Sequence, residues 1–321
     1  MGSKITALLM TLFGLLASII PGFSETFSKK PIRMIIGYSA GGGTDVLARA
    51  LQRPLAKELA ANIIIENIPA GATKIATLEL LKSKPDGYTL TIHSGEGYDA
   101  YYYTGIYDYK PTEKLSIVGS ITREPYGFME VRVDSGFHTW KDLVNYAKAN
   151  PGKLTCGGST AGGMMNLLFI EAAKAAGIDA KFVPFAGAGP AKNALLGGHV
   201  DMQICQPSES IVMIRAGKTM GVAVSSEDRL QELPNVPTFK ELGIGDAVNI
   251  HRAIFGPPNM PPQVVKAIGQ ALQRTIQDPE FVQFCQRMFF EPYFWEGSSM
   301  KVYFNKFNEK YGPKLMAMGK S

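Results

Sequence analysis

Apolar residues along the chain fall into two patterns, one typical of buried strands and the other of amphipathic helices. Residues 33–38 form a short apolar run bounded by turn residues, which predicts a buried strand of a parallel sheet. Leucines then recur every four residues from Leu47 to Leu59, which predicts a helix. Pro54 lies inside this helix, so we expect a kink or a break at that point.

The alternation of strands and helices continues and then restarts in a second unit. Strands predicted at 62–65 and 88–93 flank a helix predicted at 73–82. Strands that alternate with helices indicate βαβ units and parallel sheets, so the sequence predicts an α/β protein with two such units. The later predicted elements are helices at 139–149, 164–176, 190–196, 207–216, 264–277 and 299–318, and strands at 153–156, 181–185, 199–204 and 220–224.

A glycine-rich turn follows a predicted strand and begins a helix once in each unit. Such a helix N-terminus presents unpaired N–H groups and about half a positive charge, and glycine lets an anion approach the backbone closely. The two turns therefore predict a cleft that binds a carboxylate or another oxyanion from both sides. The alternative is that each turn is only a tight connection, with Thr44 and Thr160 as helix caps. The candidate ligand-binding residues are Ser39, Gly41, Gly42, Gly43, Thr44 and Asp45 in the first turn, and Gly158, Ser159, Thr160, Ala161, Gly162 and Gly163 in the second.

Asp45 differs from the other candidates because a carboxylate beside an anion site is electrostatically unfavourable. We expect Asp45 to order the turn or to contact the ligand through a water molecule. A direct contact with an amine on the ligand is the alternative.

Six tyrosines lie close together between residues 98 and 109. They are typical either of a stacking wall for an aromatic acid or of a surface loop that packs on its own lobe. We expect the surface loop, because the rings lie beyond the end of the predicted strand rather than at it.

The N-terminus has the pattern of a secretory signal. Lys4 precedes an apolar segment at 5–23, and Pro21 and small residues follow up to Ser24. This pattern predicts a signal peptide at 1–24 that is cleaved near Ser24. An uncleaved membrane anchor is the alternative, since the apolar segment is long enough to span a bilayer.

Composition excludes several classes of function. The chain has 321 residues, which fits two domains, and a net charge of only +5. The sequence contains no long run of basic residues, so it does not indicate a nucleic-acid partner. Three scattered cysteines, and no His-Glu-x-x-His spacing, predict neither a disulfide scaffold nor a metal site. We expect no cofactor.

Two enzyme classes match parts of the glycine-rich turns. Residues 41–43 fit the start of a dinucleotide-binding fingerprint, as in an NAD(P)-dependent oxidoreductase, but Val46 stands where Gly or Ala is required. Residues 157–161 nearly match the nucleophile elbow of a serine hydrolase, and Asp201 and His251 follow in a permitted order. The last glycine of that elbow is missing. Each of the two enzyme motifs is therefore incomplete, and both classes fit the sequence less well than a receptor does.

Several stretches match one family in order over nearly the whole chain after the signal. They are KPIRMII at 30–36, GGGTDVLAR at 41–49, IIEN at 64–67, PDGYTL at 85–90, AKANPGKL at 147–154, VPF at 183–185, LGGHVD at 196–201 and LPNVPTFKELG at 233–243. The sequence resembles the substrate-binding proteins of tripartite tricarboxylate transporters, the Bug/TctC family. The resemblance implies a type II periplasmic binding-protein fold, in which two α/β lobes enclose a ligand cleft. It also implies a non-enzymatic receptor for a small organic acid, with membrane permease subunits as partners.

The family pattern adds positions at further strand ends. It implies that Ser94, Phe185, Ala186 and Asp201 line the same cleft. The chain departs from the pattern at Phe185, where a tyrosine is usual, and at Asn166, where a histidine is common. We expect a monomer, with one lobe at 25–123 plus 250–321, the other at 124–249, and a hinge where the chain crosses between them.

Overall fold

The computed structural model describes residues 30–319. The predicted signal peptide and its cleavage point lie outside the described residues. Within 30–319, no helix combines the length and apolar character needed to cross a membrane. Two separate sheets organise this part of the chain, and we call the surrounding halves the first and second lobes.

Each of the two sheets contains both parallel and antiparallel strand pairs. The first contains β1 (Ile32–Ile36), β2 (Ile63–Asn67), β3 (Thr89–Ser94), β4 (Ser116–Pro125), β10 (Asn249–Gly256) and β11 (Glu291–Pro292), in the order β11-β4-β10-β3-β1-β2. The second contains β5 (Phe128–Arg132), β6 (Leu154–Ser159), β7 (Ala180–Phe185), β8 (Met202–Cys205) and β9 (Thr219–Val224), in the order β7-β6-β8-β5-β9. Strands β1 to β3 and β6 to β8 pair in parallel as predicted, whereas β4, β5, β9 and β10 pair antiparallel with their neighbours.

Helices cover the faces of both sheets. They are α1 (Gly43–Leu59), α2 (Lys74–Lys82), α3 (Gly95–Tyr103), α4 (Pro111–Lys114), α5 (Trp140–Ala149), α6 (Met164–Ala176), α7 (Ala188–Leu196), α8 (Pro207–Arg215), α9 (Pro262–Thr275), α10 (Pro279–Met288) and α11 (Gly297–Met318). The leucines of α1 are buried against the first sheet, as their spacing predicts. Pro54 does not interrupt α1, so the predicted break is wrong.

Four of the six clustered tyrosines lie in helix α3 rather than in the predicted surface loop, and Tyr107 and Tyr109 follow that helix. Helix α3 begins at Ser94, whose hydroxyl accepts a hydrogen bond from the amide of Gly97. Tyr98 and Tyr107 are almost fully buried. Their rings pack at 78° to each other with centroids 6.3 Å apart, so packing inside the first lobe outweighs the low helix propensity of tyrosine.

The chain passes between the sheets at two points that lie side by side. Strand β4 continues through Tyr126 into β5, and the return from the second lobe enters β10 at Asn249. The amide of Tyr126 donates to the carbonyl of Val248 at 2.7 Å, and Pro125 pairs with Asn249. The two crossings therefore form one hydrogen-bonded pair of strands.

Helix α11 adds a third connection between the lobes. Phe304 packs into a first-lobe core, whereas Phe307 and Leu315 belong to the core around the second sheet. Lys310 pairs with Asp246 at 2.8 Å. The C-terminal helix therefore belongs to both lobes.

Candidate functional site

A cavity lies between the two lobes, at the ends of strands from both sheets. The cavity has a volume of about 80 Å³, well above what a single water molecule needs. The glycine-rich turns face each other across this space. The predicted residues that line the cavity are Ser39, Gly42, Gly43, Thr44 and Ser94 from the first lobe and Ser159 and Gly163 from the second.

Five helices begin at the wall of the cavity, and three of them have no side-chain cap. Helices α1, α6 and α7 start after Gly42, Gly163 and Gly187, and none of these glycines can cap the N–H groups that follow. By contrast, α3 and α8 are capped by their own polar side chains. The positive ends of three helix dipoles therefore converge on one small space, and no N-cap side chain covers the amides that follow.

Asp45 orders the first turn and does not line the cavity. Its Oδ2 atom accepts hydrogen bonds from the Gly41 amide at 2.8 Å and from Arg49 Nε at 3.0 Å. Its Oδ1 atom accepts one from Asn67 Nδ2 at 3.0 Å. Burial opposes ionisation, but these hydrogen bonds outweigh it and lower the pKa of Asp45. The carboxylate therefore stays ionised and holds Gly41 in place.

The tip of the second turn contacts the first lobe instead of the cavity. Thr160 has a φ of 50°, in the left-handed region that a threonine rarely adopts. Its side chain shares a hydrogen bond with the hydroxyl of Tyr101. A Cβ atom on Gly162 would lie 3.0 Å from Thr104 Oγ1, so the turn is closely packed against the first lobe. Ala161, next to these residues, also lies outside the cavity lining.

The remaining predicted positions also lie outside the cavity lining. Asp201 Oδ2 accepts hydrogen bonds from the Thr155 amide at 2.8 Å and from its hydroxyl at 2.7 Å. Phe185 packs in a small apolar cluster of the second lobe. Gly158 faces the ring of Phe182, whose Cε2 would lie 2.6 Å from an added Cβ. Ala186 follows Phe185 and is not part of the lining.

A buried ion pair that the sequence analysis missed lies beside the first turn. Arg252 and Glu124 are each 2% exposed, and Arg252 Nη1 donates to Glu124 Oε1. Arg252 Nε also donates to Thr44 Oγ1 at 3.3 Å. Burial lowers the pKa of Arg252 to about 10, which leaves the guanidinium charged at neutral pH. The signal in the sequence was a lone arginine inside the apolar run 250–256.

Glu209 is a second missed residue, and it lines the cavity from α8. Its Oε2 atom accepts a hydrogen bond from the Gln206 amide at 3.0 Å, which caps α8. Burial raises the pKa of Glu209 to about 7, although a backbone hydrogen bond from Gly43 opposes the rise. Glu209 and Gly43 belong to different lobes, so this contact crosses the cleft.

Tyrosine hydroxyls form another part of the wall that the sequence analysis missed. Tyr38, Tyr101 and Tyr126 all line the cavity. Tyr38 is held by His93, whose Nε2 atom lies 2.9 Å from the phenol oxygen. Burial lowers the pKa of His93 to about 3, so the imidazole is neutral. Tyr101 thus comes from the segment that was expected to be a surface loop.

The residues of the hydrolase alternative do not meet. His251 Nδ1 lies 2.8 Å from Glu96 Oε1, in a buried contact away from Ser159. Asp201 is held by Thr155 instead of a histidine. The three cysteines are buried and free, and residues 30–319 contain no group of His, Cys, Asp or Glu side chains that could hold a metal ion.

Comparison with known proteins identifies the family. The family model described as tripartite tricarboxylate transporter family receptor (TctC) matches residues 47–319. The chain belongs to this family. It is therefore a periplasmic solute-binding receptor and not an enzyme, and the predicted two-lobed α/β fold is confirmed.

Individual relatives agree over most of the chain. The UPF0065 protein in the gbd 5′ region of Cupriavidus necator is 31% identical over 281 residues, which cover 88% of this chain and 85% of the relative. The structure of the periplasmic binding protein BugD is 25% identical, with a TM-score of 0.83 over 91% of this chain and 99% of that one. MatC from Rhodopseudomonas palustris, solved with bound malate, has the same fold at 21% identity and a TM-score of 0.80, over 91% of this chain and 100% of MatC.

Removing the partner of Arg252 should destabilise the protein. We expect Glu124→Ala to lower the free energy of unfolding by about 3–5 kcal/mol, because it leaves a buried guanidinium unpaired. Denaturant unfolding followed by circular dichroism measures the change. The control is Glu291→Ala, which breaks an exposed pair with the neighbouring Arg123 and should cost about 1 kcal/mol or less. Equal losses in the two variants would contradict the account of the buried pair.

Proposed function

We propose that this receptor binds a small carboxylic acid in the interlobe cavity, with a carboxylate at the N-termini of α6 and α7. The observation that carries the proposal is the convergence of the uncapped, glycine-led N-termini of α6 and α7 on a cavity between the two lobes. A carboxylate supplies the acceptors that these amides lack. Each such charge-assisted hydrogen bond contributes about 1.5–3 kcal/mol.

Polar side chains around the amides support the same ligand class. Ser159, Tyr101 and Tyr126 line the cavity together with Gly163 at the α6 N-terminus. Apolar contact comes from Met164 and Ile250, which suits a short carbon chain. MatC, which shares the fold, was solved with bound malate, a hydroxy acid that carries two carboxylates.

We further propose that the receptor is exported with residues 1–24 as its signal and delivers the ligand to membrane permease subunits. In this proposal the lobes divide as 25–123 plus 250–321 and 124–249. The paired crossing strands at Tyr126 and Asn249 act as the hinge. A ligand that contacts both lobes favours the closed state by its differential affinity for that state.

A panel of organic acids tests the proposed function. We expect short-chain carboxylic acids to raise the thermal unfolding temperature, because a ligand that binds only the folded state adds about 2.7 kcal/mol at a hundredfold excess over Kd. Calorimetric titration then gives the affinity. The control is the matching set of neutral primary amides, which should give no shift. If no acid in the panel binds, the proposed function is wrong.

A carboxylate placed at the α6 N-terminus should block ligand binding. Gly163 has an extended backbone, and an added Cβ would come no closer than 3.5 Å to neighbouring atoms, so aspartate fits there. We expect Gly163→Asp to weaken acid binding about a hundredfold or more, because its charge caps the helix and repels the ligand. Gly163→Asn is the matched control, since it caps without charge and should lose less affinity. An unchanged affinity in Gly163→Asp would exclude this helix as the anion site.

Ligand binding should also compact the molecule. We expect a saturating acid to reduce the radius of gyration in small-angle X-ray scattering, because bridging contacts favour the closed lobes. Gly163→Asp at the same acid concentration serves as the control and should stay unchanged. An identical radius with and without bound acid would rule out closure about the crossing strands.

A further inference from the structure

The first-lobe end of the cavity already holds a carboxylate that belongs to the protein. Glu209 reaches from α8 of the second lobe to Gly43, the first residue of α1. A Cβ atom on Gly43 would lie 3.2 Å from Glu209 Oε1 and 3.1 Å from Arg252 Nη2. The glycine therefore leaves the space that Glu209 and Arg252 fill, and the amide of Gly43 faces an anion from within the chain.

The three anion-binding helix ends are consequently not equivalent. Glu209 occupies the start of α1, whereas the starts of α6 and α7 at Gly163 and Gly187 have no such carboxylate among their caps. When the lobes close, a ligand therefore meets amides without a side-chain partner on the second-lobe side. On the first-lobe side it meets an amide that already donates to Glu209.

The charged side chains at the first-lobe end of the cavity do not favour the binding of an anion. The positive charge of Arg252 is paired with Glu124, and both are buried. Lys192 donates to the backbone carbonyl of Glu209 at 3.3 Å and its charge opposes the rise in the pKa of Glu209, but Lys192 lies outside the cavity lining. Glu209 therefore adds a negative charge where Arg252 is already neutralised. A second ionised carboxylate on the ligand would meet that charge in a partly desolvated space.

We propose that Glu209 is a specificity-determining residue that excludes a second ionised carboxylate from the first-lobe end of the cavity. In its place Glu209 accepts a hydrogen bond from a donor on the ligand, such as a hydroxyl, amide or ammonium group. The ligand class is then a monocarboxylic acid with a hydrogen-bond donor at its other end. This inference rests on the proposed function, because it assumes that the first carboxylate binds at α6 and α7.

The proposal is tested with pairs of ligands that differ only in the charge of the group at the end away from the first carboxylate. Succinate and glutarate are compared with succinamate and glutaramate, which have the same length but carry an amide in place of one carboxylate. At about pH 8, we expect the wild-type receptor to bind each monoamide about tenfold tighter than its diacid. In Glu209→Gln the diacid should gain about tenfold and the ratio should approach one. Glutamine keeps the capping position of α8, so the fold is retained.

A control variant and a pH series isolate the role of Glu209. Glu232→Gln removes the same charge from an exposed loop and should keep the wild-type ratio. Lowering the pH from about 8 to about 6 protonates Glu209, whose pKa is about 7, so wild-type affinity for the diacid should rise. The charged or titratable groups around Glu209 are Arg252 on β10, Glu124 on β4, Lys192 on α7, Glu130 on β5, Tyr126 and Cys205. Glu209→Gln keeps all of them, and the second carboxyl of the diacid also begins to protonate near pH 6, so only the pH dependence that the variant loses belongs to Glu209.

The outcomes distinguish this inference from the proposed function. Binding of both probe types with a ratio that Glu209→Gln does not change would overturn the role of Glu209 and leave the proposed function standing. If neither probe type binds either protein, the inference is overturned, and the panel of organic acids still decides the proposed function. If Glu209→Gln fails to fold, the wild-type pH series decides alone, and a diacid affinity that does not rise at low pH overturns the inference.

Discussion

Unsatisfied backbone amides at helix N-termini are the constraint on which the site depends. Helices α1, α6 and α7 each follow a glycine, so no N-cap side chain accepts the hydrogen bonds of the first turn, and only at α1 does a distant carboxylate, that of Glu209, accept one. Such donors are costly to bury without a partner, and here they open into a cavity between two lobes. The fold places them there because parallel strands deliver successive helices to the same edge of each sheet.

The sequence predicted the strand ends and helix starts at this edge of the sheets well, because each is indicated by residues that lie close together in the chain. Leucine spacing and short apolar runs indicate amphipathic helices and buried strands, and the glycine-rich turns lie between them. Helix α6 begins and ends at the predicted residues. Asp45 orders the first turn as expected, since its partners Gly41 and Arg49 are within four residues.

Residues that depend on distant pairing were not predictable in this way. Arg252 and Glu124 meet only because β10 pairs with β4, more than a hundred residues apart in sequence. Glu209 faces the first turn from across the cleft, more than 160 residues away in sequence. Asp201 was expected to line the cleft, but its hydrogen bonds to Thr155 keep it outside the cavity lining. Single-sequence patterns carry no information about such cross-sheet contacts.

Helix α11 turns the receptor into a body with a side-chain brace as well as a strand hinge. Its apolar anchors, Phe304 in one core and Phe307 in the other, lie within a single turn of each other and cannot separate without unwinding that turn. Its outer ion pairs with Asp246 and Glu171 are solvent-exposed and therefore weak and screened by salt. Any change in the relative position of the two lobes must therefore be accommodated at this turn, where apolar packing rather than the exposed ion pairs holds the helix.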